Sequence, residues 1–383
     1  MTEIFDLDYN AGAPLDSRVR EAMDSLPDVA DANPHSPHQR GRAAAGILER
    51  ARERIAAVLS VGADEVVFTS GGTESNNLAV CSGAAIATQA GRPFAASVLE
   101  HPSITMAVEA FVPAEYRMAL PVDSSGVVDV AWLQRAEPAF ATVILAHHEL
   151  GVVQDLVTLA AELHACGGVL HSDASQAVGR IPVAEALAVC DYATLSPHKC
   201  GGPRGIGIWI VRKGRFAAQL LRGGAQELGR RAGTPSPRLA HGAAEALCLA
   251  LAERDARATR MQAALDALLV PVERAGLRVL CADAGQAMLP NTRTLCMPDV
   301  DARHAVPALD LAGILVSYGS ACTSGAREPA RSILALGTPR PIAARCLRIS
   351  LPENMTVKNA RTAGALLCQA VGRISRCRRT NRL

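Results

Sequence analysis

The most constraining feature of this chain is a repeated pattern: a short apolar segment, then a polar or glycine-rich cluster and, in most cases, a helix. The apolar segments are residues 65–68, 142–146, 168–171 and 192–195. Strands that alternate with helices form a mostly parallel sheet, and ligands bind where the carboxyl ends of such strands meet. The pattern therefore predicts an α/β fold with one site that extends over several strand ends.

The composition narrows the class of protein. The 383 residues carry a net charge of +2, which argues against nucleic acid or a membrane surface as the main partner. No secretory signal is visible, and no apolar run is long enough to cross a bilayer. The 11 cysteines include no CxxC pair, which favours a reducing cytosol over a disulfide framework or a structural zinc site. We therefore expect a cytoplasmic protein.

Lys199 lies in a Gly- and Pro-rich turn between two predicted strands, residues 192–195 and 206–211. A lysine at a strand end can lose solvent and form a Schiff base, although a solvated turn lysine is the ordinary alternative. Asp173 follows a strand, where an acid either caps a helix or keeps a pyridine nitrogen protonated. The Gly72-Thr73 turn opens a helix, either as a tight turn or as a phosphate cup. Pyridoxal phosphate requires these three parts together, so their shared position at strand ends indicates that cofactor.

The last third of the chain has a different pattern from the rest. Its predicted elements are, in order, a long helix over 237–274, strands near 278–281 and 292–297, a helix near 303–312 and a strand near 347–350. This mixture indicates a smaller α+β domain. The predicted division is a large cofactor-binding domain of residues 12–255 and a small domain made of residues 1–11 and 256–383.

Nine stretches distributed over the chain carry a resemblance to one family. They are NPHSPHQRGR, FTSGGTESNNLAV, LEHPSI, ELGVVQD, HSDASQAVG, LSPHKCGGPRGIG, RRAGTP, YGSACTSG and LRISL. With them the sequence resembles the cysteine desulfurases of the NifS/IscS branch, within the class V aminotransferase group of pyridoxal-phosphate enzymes. The resemblance implies a PLP-dependent transferase of fold type I, with a mostly parallel seven-stranded sheet in the large domain. It also implies a homodimer that uses pyridoxal 5'-phosphate and passes sulfur from L-cysteine to an acceptor protein such as an iron–sulfur scaffold.

The resemblance further implies roles for individual residues. Lys199 matches the Schiff-base lysine, Cys322 the sulfur nucleophile, and His101 the histidine that stacks on the pyridine ring and transfers protons. Arg348 matches the arginine that binds the substrate carboxylate, and Asn33 lies in a loop near the substrate. The implied cofactor-binding residues are Gly72, Thr73, His101, His148, Asp173, Gln176, Ser196, His198, Lys199 and Thr234. Of these, Thr234 matches a threonine that reaches the phosphate in the neighbouring subunit.

Cys322 decides the predicted reaction. A lone cysteine is ordinarily a small buried side chain, but this one lies in the polar, glycine-flanked stretch Gly319-Ser320-Ala321-Cys322-Thr323-Ser324. That setting suits a loop thiol that attacks the substrate sulfur. The other ten cysteines are interpreted as structural. No resident metal is expected, and Cys322 is the residue that the resemblance offers as a transient iron–sulfur ligand.

The stretch His147-His148-Glu149 departs from the family, which usually has Asn-Asn-Glu there. His148 replaces an asparagine that hydrogen-bonds the phenolic oxygen of the cofactor; histidine can donate the same bond but is bulkier and titratable. A His-His-Glu metal site is disfavoured, because adjacent residues on a strand point to opposite faces. Two alternative functions stay open: a selenocysteine lyase or other class V enzyme, and a catalytically impaired paralogue that carries or binds sulfur.

Overall fold

The computed structural model describes residues 3–281, 285–318 and 328–380, and twelve β-strands occur in these ranges. They are β1 (Phe5–Asp6), β2 (Val66–Thr69), β3 (Phe94–Ser97), β4 (Arg117–Leu120), β5 (Phe140–Thr142), β6 (Val169–Asp173), β7 (Tyr192–Leu195), β8 (Gly207–Val211), β9 (Arg278–Val279), β10 (Thr292–Cys296), β11 (Ile314–Leu315) and β12 (Cys346–Ser350).

Thirteen α-helices occur in the same ranges. They are α1 (Ser17–Asp24), α2 (Gln39–Leu59), α3 (Gly72–Ala90), α4 (Pro102–Phe111), α5 (Val130–Ala136), α6 (Leu156–Ala165), α7 (Ala184–Ala188), α8 (Pro237–Ala252), α9 (Arg254–Arg274), α10 (Ala302–Leu311), α11 (Arg331–Ala335), α12 (Arg340–Ala343) and α13 (Val357–Thr380). Short turns of 3-10 helix lie at Tyr9–Ala11, Asp28–Asp31, Ala63–Glu65, Ala114–Tyr116, Pro197–Lys199 and Glu227–Gly229.

A seven-stranded sheet in the order β2-β8-β7-β6-β5-β3-β4 forms the centre of the larger part of the molecule. All its neighbouring strands are parallel except at β8, which runs antiparallel to both β2 and β7. Helices cover both faces: α2, α6 and α8 pack on one, and α3 and α4 pack on the other. Every residue of β6 and of β7 is buried, as expected for strands covered on both sides. The predicted mostly parallel seven-stranded sheet is confirmed.

A second, antiparallel sheet in the order β12-β10-β9 forms the smaller part of the molecule. One face of it, which includes Leu295 and Leu347, packs on α9, α10 and α13 in a separate apolar cluster. That cluster also includes Phe5 and Leu7, because β1 pairs with β11 beside it. The amino-terminal residues of the chain therefore pack with its last third.

Two predicted elements differ from the structure. The single helix predicted over 237–274 is two helices, because Glu253 has the non-helical angles φ −95° and ψ 1° and its carboxylate accepts hydrogen bonds from Arg18 and Arg257. The strand predicted over 142–146 lies earlier in the structure, as β5 (Phe140–Thr142). Its pairing with β3 stops at Thr142. No helix in the described ranges is both long and apolar enough to span a bilayer.

Candidate active site

A cavity of about 530 Å³ lies at the carboxyl ends of β5, β6 and β7, with the amino terminus of α3 at one side. It is the place where the predicted site residues come together. Ten of them line it: Gly72, Thr73, His101, His148, Asp173, Gln176, Ser196, His198, Lys199 and Arg348. The cavity combines segments that are far apart in the sequence, as a site at the edge of a parallel sheet should.

Lys199 ends the turn of 3-10 helix that follows β7, and its amine points to the amino-terminal part of the chain. The Nζ atom donates hydrogen bonds to the carbonyl oxygens of Asn10, at 2.7 Å, and Ala11, at 3.0 Å. The Nε2 atom of Gln176 also donates to the Asn10 carbonyl, at 3.1 Å. The lysine is therefore held in a defined position in the cavity lining.

Asp173 is the last residue of β6, and its side chain is only 6% exposed. One carboxylate oxygen accepts a hydrogen bond of 2.7 Å from Nδ2 of Asn76, and the other accepts one of 2.9 Å from the backbone N–H of Ser175. A carboxylate has about four lone-pair positions, so these two bonds fix its orientation and leave capacity for a further donor.

The amino terminus of α3 faces the hydroxyl groups that follow β6 and β7. A side-chain carbon added at Gly72 would lie 2.2 Å from Oγ of Ser196, so only glycine leaves room at this point. The Ser196 and Ser175 hydroxyls are 2.9 Å apart. The first N–H groups of a helix lack intrahelical partners and carry a partial positive charge, so this cradle suits an anion such as phosphate. Gly72, Asp173, Ser196 and Lys199 together form what we call the strand-end wall.

His101 and His148 both line the cavity and contact each other, with ring centroids 5.3 Å apart in an edge-on arrangement. His101 is the N-cap of α4, and its Nδ1 accepts a hydrogen bond from the backbone N–H of Ser103 at 3.1 Å. Burial lowers the pKa of His101, although the nearby Asp173 carboxylate opposes that effect. Burial, and then the charges of His101, Arg348 and Lys199, hold the pKa of His148 well below its usual range. Both imidazoles are therefore neutral at neutral pH.

Arg348 lies on β12 and is 5% exposed. Its Nη2 donates to the Asp8 carboxylate at 2.6 Å, and its Nη1 donates to the His148 carbonyl oxygen at 3.3 Å. Within the described ranges, Nε of Arg348 and Nδ1 of His148 are buried and have no hydrogen-bond partner. We call His101, His148 and Arg348 the arginine wall. Its unused hydrogen-bonding groups point to a ligand, because buried polar groups are normally satisfied.

The family of the chain follows from its similarity to known proteins. Residues 6–361 match the family model for class-V aminotransferases. The cysteine desulfurase IscS of Dictyoglomus turgidum is 33% identical over 349 residues, which cover 90% of this chain and 89% of that protein. A cysteine desulfurase of Gluconacetobacter diazotrophicus is 36% identical over 361 residues, which cover 91% of this chain and 89% of that protein. The chain belongs to the cysteine desulfurases of the class-V aminotransferase family.

Solved structures agree with this family. A structure described as a NifS-like protein superposes with a TM-score of 0.86 at 29% identity, covering 97% of this chain and 99% of that protein. The fold type predicted for a cysteine desulfurase is thus confirmed.

Two described residues that were predicted for the site, Asn33 and Thr234, do not line the cavity. Asn33 is exposed, and its Oδ1 accepts a hydrogen bond from the backbone N–H of His35. Thr234 is also exposed, in the loop before α8. Cys322 lies outside the described residues.

The trio His147, His148 and Glu149 is more compact than expected. We expected neighbouring side chains to diverge as on a strand, but β5 has already ended and their ligand-type atoms lie within 4.8 Å of one another. The Nδ1 atom of His147 accepts hydrogen bonds from the backbone N–H groups of Glu149 and Leu150. Because Nδ1 of His147 already accepts these bonds, we do not assign a metal site to the trio.

Four residues that sequence analysis missed support the cysteine desulfurase site. Asn76 orients Asp173, and its place one helical turn after Gly72 in TSGGTESNN is a signal that could have identified it. Ser103 bonds the same Asn76, at 2.9 Å. Asn10 and Asp8 belong to the amino-terminal LDYN stretch, and no local pattern reveals that they contact Lys199 and Arg348.

Proposed function

We propose that this cysteine desulfurase converts L-cysteine to L-alanine with pyridoxal 5'-phosphate as its cofactor and retains the sulfur on Cys322 as a persulfide. The main observation in support is that Lys199, Asp173 and Arg348 line one cavity. An amine, a buried carboxylate and a guanidinium are the groups that an amino-acid substrate and this cofactor require together.

Three features of the cavity support the fit to pyridoxal phosphate. The cradle at Gly72 and Ser196 suits the phosphate, and Asp173 suits the ring nitrogen. The unpartnered Nδ1 of His148 is available to the phenolic oxygen. We propose the other lining residues predicted for the cofactor, which include Gln176 and His198, as further contacts. When bound, the cofactor supplies an electron sink for negative charge at the substrate Cα.

The substrate would be oriented by the arginine wall. Arg348 keeps one nitrogen on Asp8, and its remaining N–H groups can bind the carboxylate of cysteine as a fork. Lys199 then acts as the general base at Cα, since its Nζ lies in the same lining. His101 is neutral because burial lowers its pKa, so it can accept and return a proton during transfer.

Cys322 would complete the reaction as the nucleophile. Its thiolate attacks the sulfur of bound cysteine, so that an S–S bond forms while the bond between that sulfur and Cβ breaks. A proton is delivered to Cβ and the proton that Lys199 removed is returned to Cα, so that the products are alanine and a persulfide on Cys322.

The test is the yield of alanine and of protein-bound persulfide from L-cysteine in wild type and Cys322→Ser. We expect equal amounts of both products from wild type and a loss of at least about 10²-fold in the variant. Cys368→Ser, which removes a thiol that bonds the Pro271 carbonyl in the small domain, is the control and should retain activity. A Cys322→Ser protein that made alanine at the wild-type rate would falsify the mechanism.

His148→Asn tests the fit of the cofactor separately from turnover. We expect both proteins to bind pyridoxal phosphate and to be active, with a shifted absorption maximum in the variant because the partner of the phenolic oxygen differs. If the absorption spectrum stays unchanged, His148 does not contact the cofactor.

We also propose a homodimer in which Thr234 serves the site of the partner subunit. The exposed Thr234 does not line its own cavity, and Phe216, Leu221 and Leu228 in the preceding loop expose large apolar side chains. Mixing Lys199→Ala with Thr234→Ala subunits should restore one intact site per mixed dimer. Failure to regain activity after demonstrated subunit exchange would contradict the shared site.

The remaining assignments extend the same proposal. We propose a sulfur-acceptor protein, such as an iron–sulfur scaffold, as the partner of the Cys322 persulfide, and a cytoplasmic location, which suits the nine free thiols among the described residues. Asn33 stays a proposed substrate-loop residue. We also propose the division into residues 12–255 and residues 1–11 with 256–383, which the two main apolar clusters support. Transfer of labelled sulfur from the loaded enzyme to candidate acceptors tests the partner.

A further inference from the structure

Two cysteines lie directly opposite each other in the antiparallel sheet of the smaller part of the molecule. Cys296 on β10 is the register partner of Cys346 on β12. The next pair along is hydrogen-bonded, since the backbone N–H of Met297 donates to the Arg345 carbonyl at 3.0 Å. Hydrogen-bonded and non-hydrogen-bonded pairs alternate in antiparallel strands, so the cysteines form a non-hydrogen-bonded pair.

That register brings the two thiols together. In such pairs the Cα atoms are about 4.5 Å apart and the side chains point to the same face. Disulfides span Cα separations of roughly 4.4–6.8 Å, so these backbone positions permit a disulfide bond without movement of either strand. The two thiols also share one acceptor, because the carbonyl oxygen of Ile342 accepts from Sγ of Cys346 at 3.4 Å and from Sγ of Cys296 at 4.0 Å.

The charges around the pair make one sulfur the nucleophile. Arg278 on β9 is the register partner of Cys296 on the side away from Cys346. The neighbouring Cys346 thiol, and then the positive charges of Arg278 and Arg345, lower the pKa of the Cys296 thiol, although burial opposes them. The neighbouring Cys296 thiol and burial raise the pKa of Cys346. The pair therefore combines a thiolate with a thiol that can resolve it.

Cys346 is only 3% exposed, but the pair borders solvent at a cavity and through Cys296. Cys346 contributes to the lining of a second cavity, of about 380 Å³, which Asp301, Arg303, Tyr318 and Arg340 also line. Cys296 itself is only partly buried. Cys190 and Cys200 are also buried, but neither lines this cavity, and burial raises the pKa of each to about 12. These two thiols stay protonated and unreactive.

We propose that Cys296 and Cys346 form an oxidisable dithiol site, which a hydroperoxide converts to a cross-strand disulfide. The Cys296 thiolate attacks one peroxide oxygen, the O–O bond breaks, and a sulfenic acid forms at Cys296 with release of hydroxide, which a proton converts to water. The Cys346 thiol then displaces the sulfenic hydroxyl as a second water and forms the S–S bond. The two cysteines together lose two electrons and hydrogen peroxide is reduced to two waters.

The dithiol site takes no part in the proposed desulfurase reaction, but it lies next to the arginine wall on β12. Cys346 and Arg348 are two residues apart on β12 and therefore point to the same face of the sheet. The disulfide would fix β10 to β12 beside the arginine wall. It would also revise the interpretation of these two cysteines as purely structural.

The test uses the full-length, pre-reduced protein and hydrogen peroxide, added in small molar excess. Remaining thiols are then blocked with N-ethylmaleimide and the unreduced peptides are identified by mass spectrometry. We expect a linked peptide that joins Cys296 to Cys346, disappears after treatment with dithiothreitol and raises the Tm of the oxidised protein. Absence of this peptide while other thiols of the same sample are oxidised would overturn the proposal.

Single variants separate the two roles. In Cys346→Ser, the sulfenic acid should persist on Cys296 and be trapped by dimedone, whereas Cys296→Ser should give no dimedone adduct on Cys346. Cys166→Ser, which removes a partly buried thiol in the large sheet region, should form the linked peptide as wild type does. An adduct on Cys346 in preference to Cys296 would contradict the assigned order. Desulfurase activity is not a readout in these experiments, so their outcome is independent of the proposed function.

Discussion

The strand-end wall and the arginine wall differ in how their polar groups are satisfied. In the strand-end wall, both carboxylate oxygens of Asp173 and the amine of Lys199 have protein partners. In the arginine wall, nitrogens of His148 and Arg348 are buried without a partner in the described ranges. The first wall is therefore pre-organised by the protein alone, whereas the second has hydrogen-bonding capacity that a ligand would use. Substitutions in the two walls should accordingly affect different kinetic constants.

The largest effect is expected in the strand-end wall. Lys199→Ala should lower the rate of alanine formation about 10³-fold, because a positioned general base contributes roughly 10²–10⁴-fold. Lys213→Ala, at an exposed turn after β8, is the matched control and should keep the wild-type rate. The measurement is alanine release at saturating cysteine. Equal losses in the two variants would mean that Lys199 acts through general stability.

A smaller effect, on a different constant, is expected in the arginine wall. Arg348→Lys should raise KM for cysteine about 10- to 30-fold with a lesser change in kcat, because an ammonium cannot reproduce the guanidinium fork. Arg293→Lys, on neighbouring β10, is the control; its guanidinium donates to the Leu289 and Thr292 carbonyls and should not influence KM. If kcat falls while KM is unchanged, the comparison between the walls is wrong.

Asp8 should have a weaker effect, because it acts through Arg348. Asp8→Asn removes the charge that holds Nη2 but keeps an oxygen acceptor, so we expect KM to rise by about 3- to 10-fold. The effects of substitutions in one hydrogen-bonded pair are not additive. The KM of the double variant Asp8→Asn, Arg348→Lys should therefore resemble that of Arg348→Lys alone. Fully additive effects would show that Asp8 contributes independently.

The smallest effect at neutral pH is expected beside the cavity, at His147. Burial lowers the pKa of His147 to about 3, so below pH 6.5 the unfolded chain binds a proton that the folded chain does not. This contribution to stability is complete above pH 6.5 and is lost at about 1.4 kcal/mol per pH unit as the pH falls towards 3.

His147→Asn should remove that dependence. Its amide oxygen can accept the same backbone N–H bonds, so the free energy of unfolding at pH 7 should change by less than about 1 kcal/mol. Urea unfolding between pH 7 and pH 5 measures both quantities. An unchanged slope in the variant would mean that His147 is not the group that titrates.

The strand-end wall could be predicted from sequence because its residues follow strands directly. Asp173 ends β6, and Lys199 lies in the turn that β7 leads into, so local patterns locate them at the same edge of the sheet. The position of Gly72 could be predicted in the same way, because it begins α3 shortly after β2 ends.

The arginine wall could be located only through family resemblance. Its geometry depends on the pairing of β12 with β10 and on contacts with Asp8, which is 340 residues from Arg348. Side-chain partners at such separations have no local pattern. The same reason explains why Asn10 was missed, since its amide binds Thr292 and the His148 carbonyl. Thr234 and Asn33 are exposed residues of loops, whose conformation no periodicity determines.

The position of Asn10 has a consequence for how the protein is made. Its carbonyl receives Lys199, its amide binds Thr292, and its backbone N–H donates to Ser350. A ribosome synthesises Asn10 long before residue 350, so the large sheet can assemble on the nascent chain while this residue still lacks its later partners. The contacts of Asn10 can therefore be complete only when nearly the whole described chain has emerged. The order of synthesis thus allows the large sheet to fold before the cavity lining is complete.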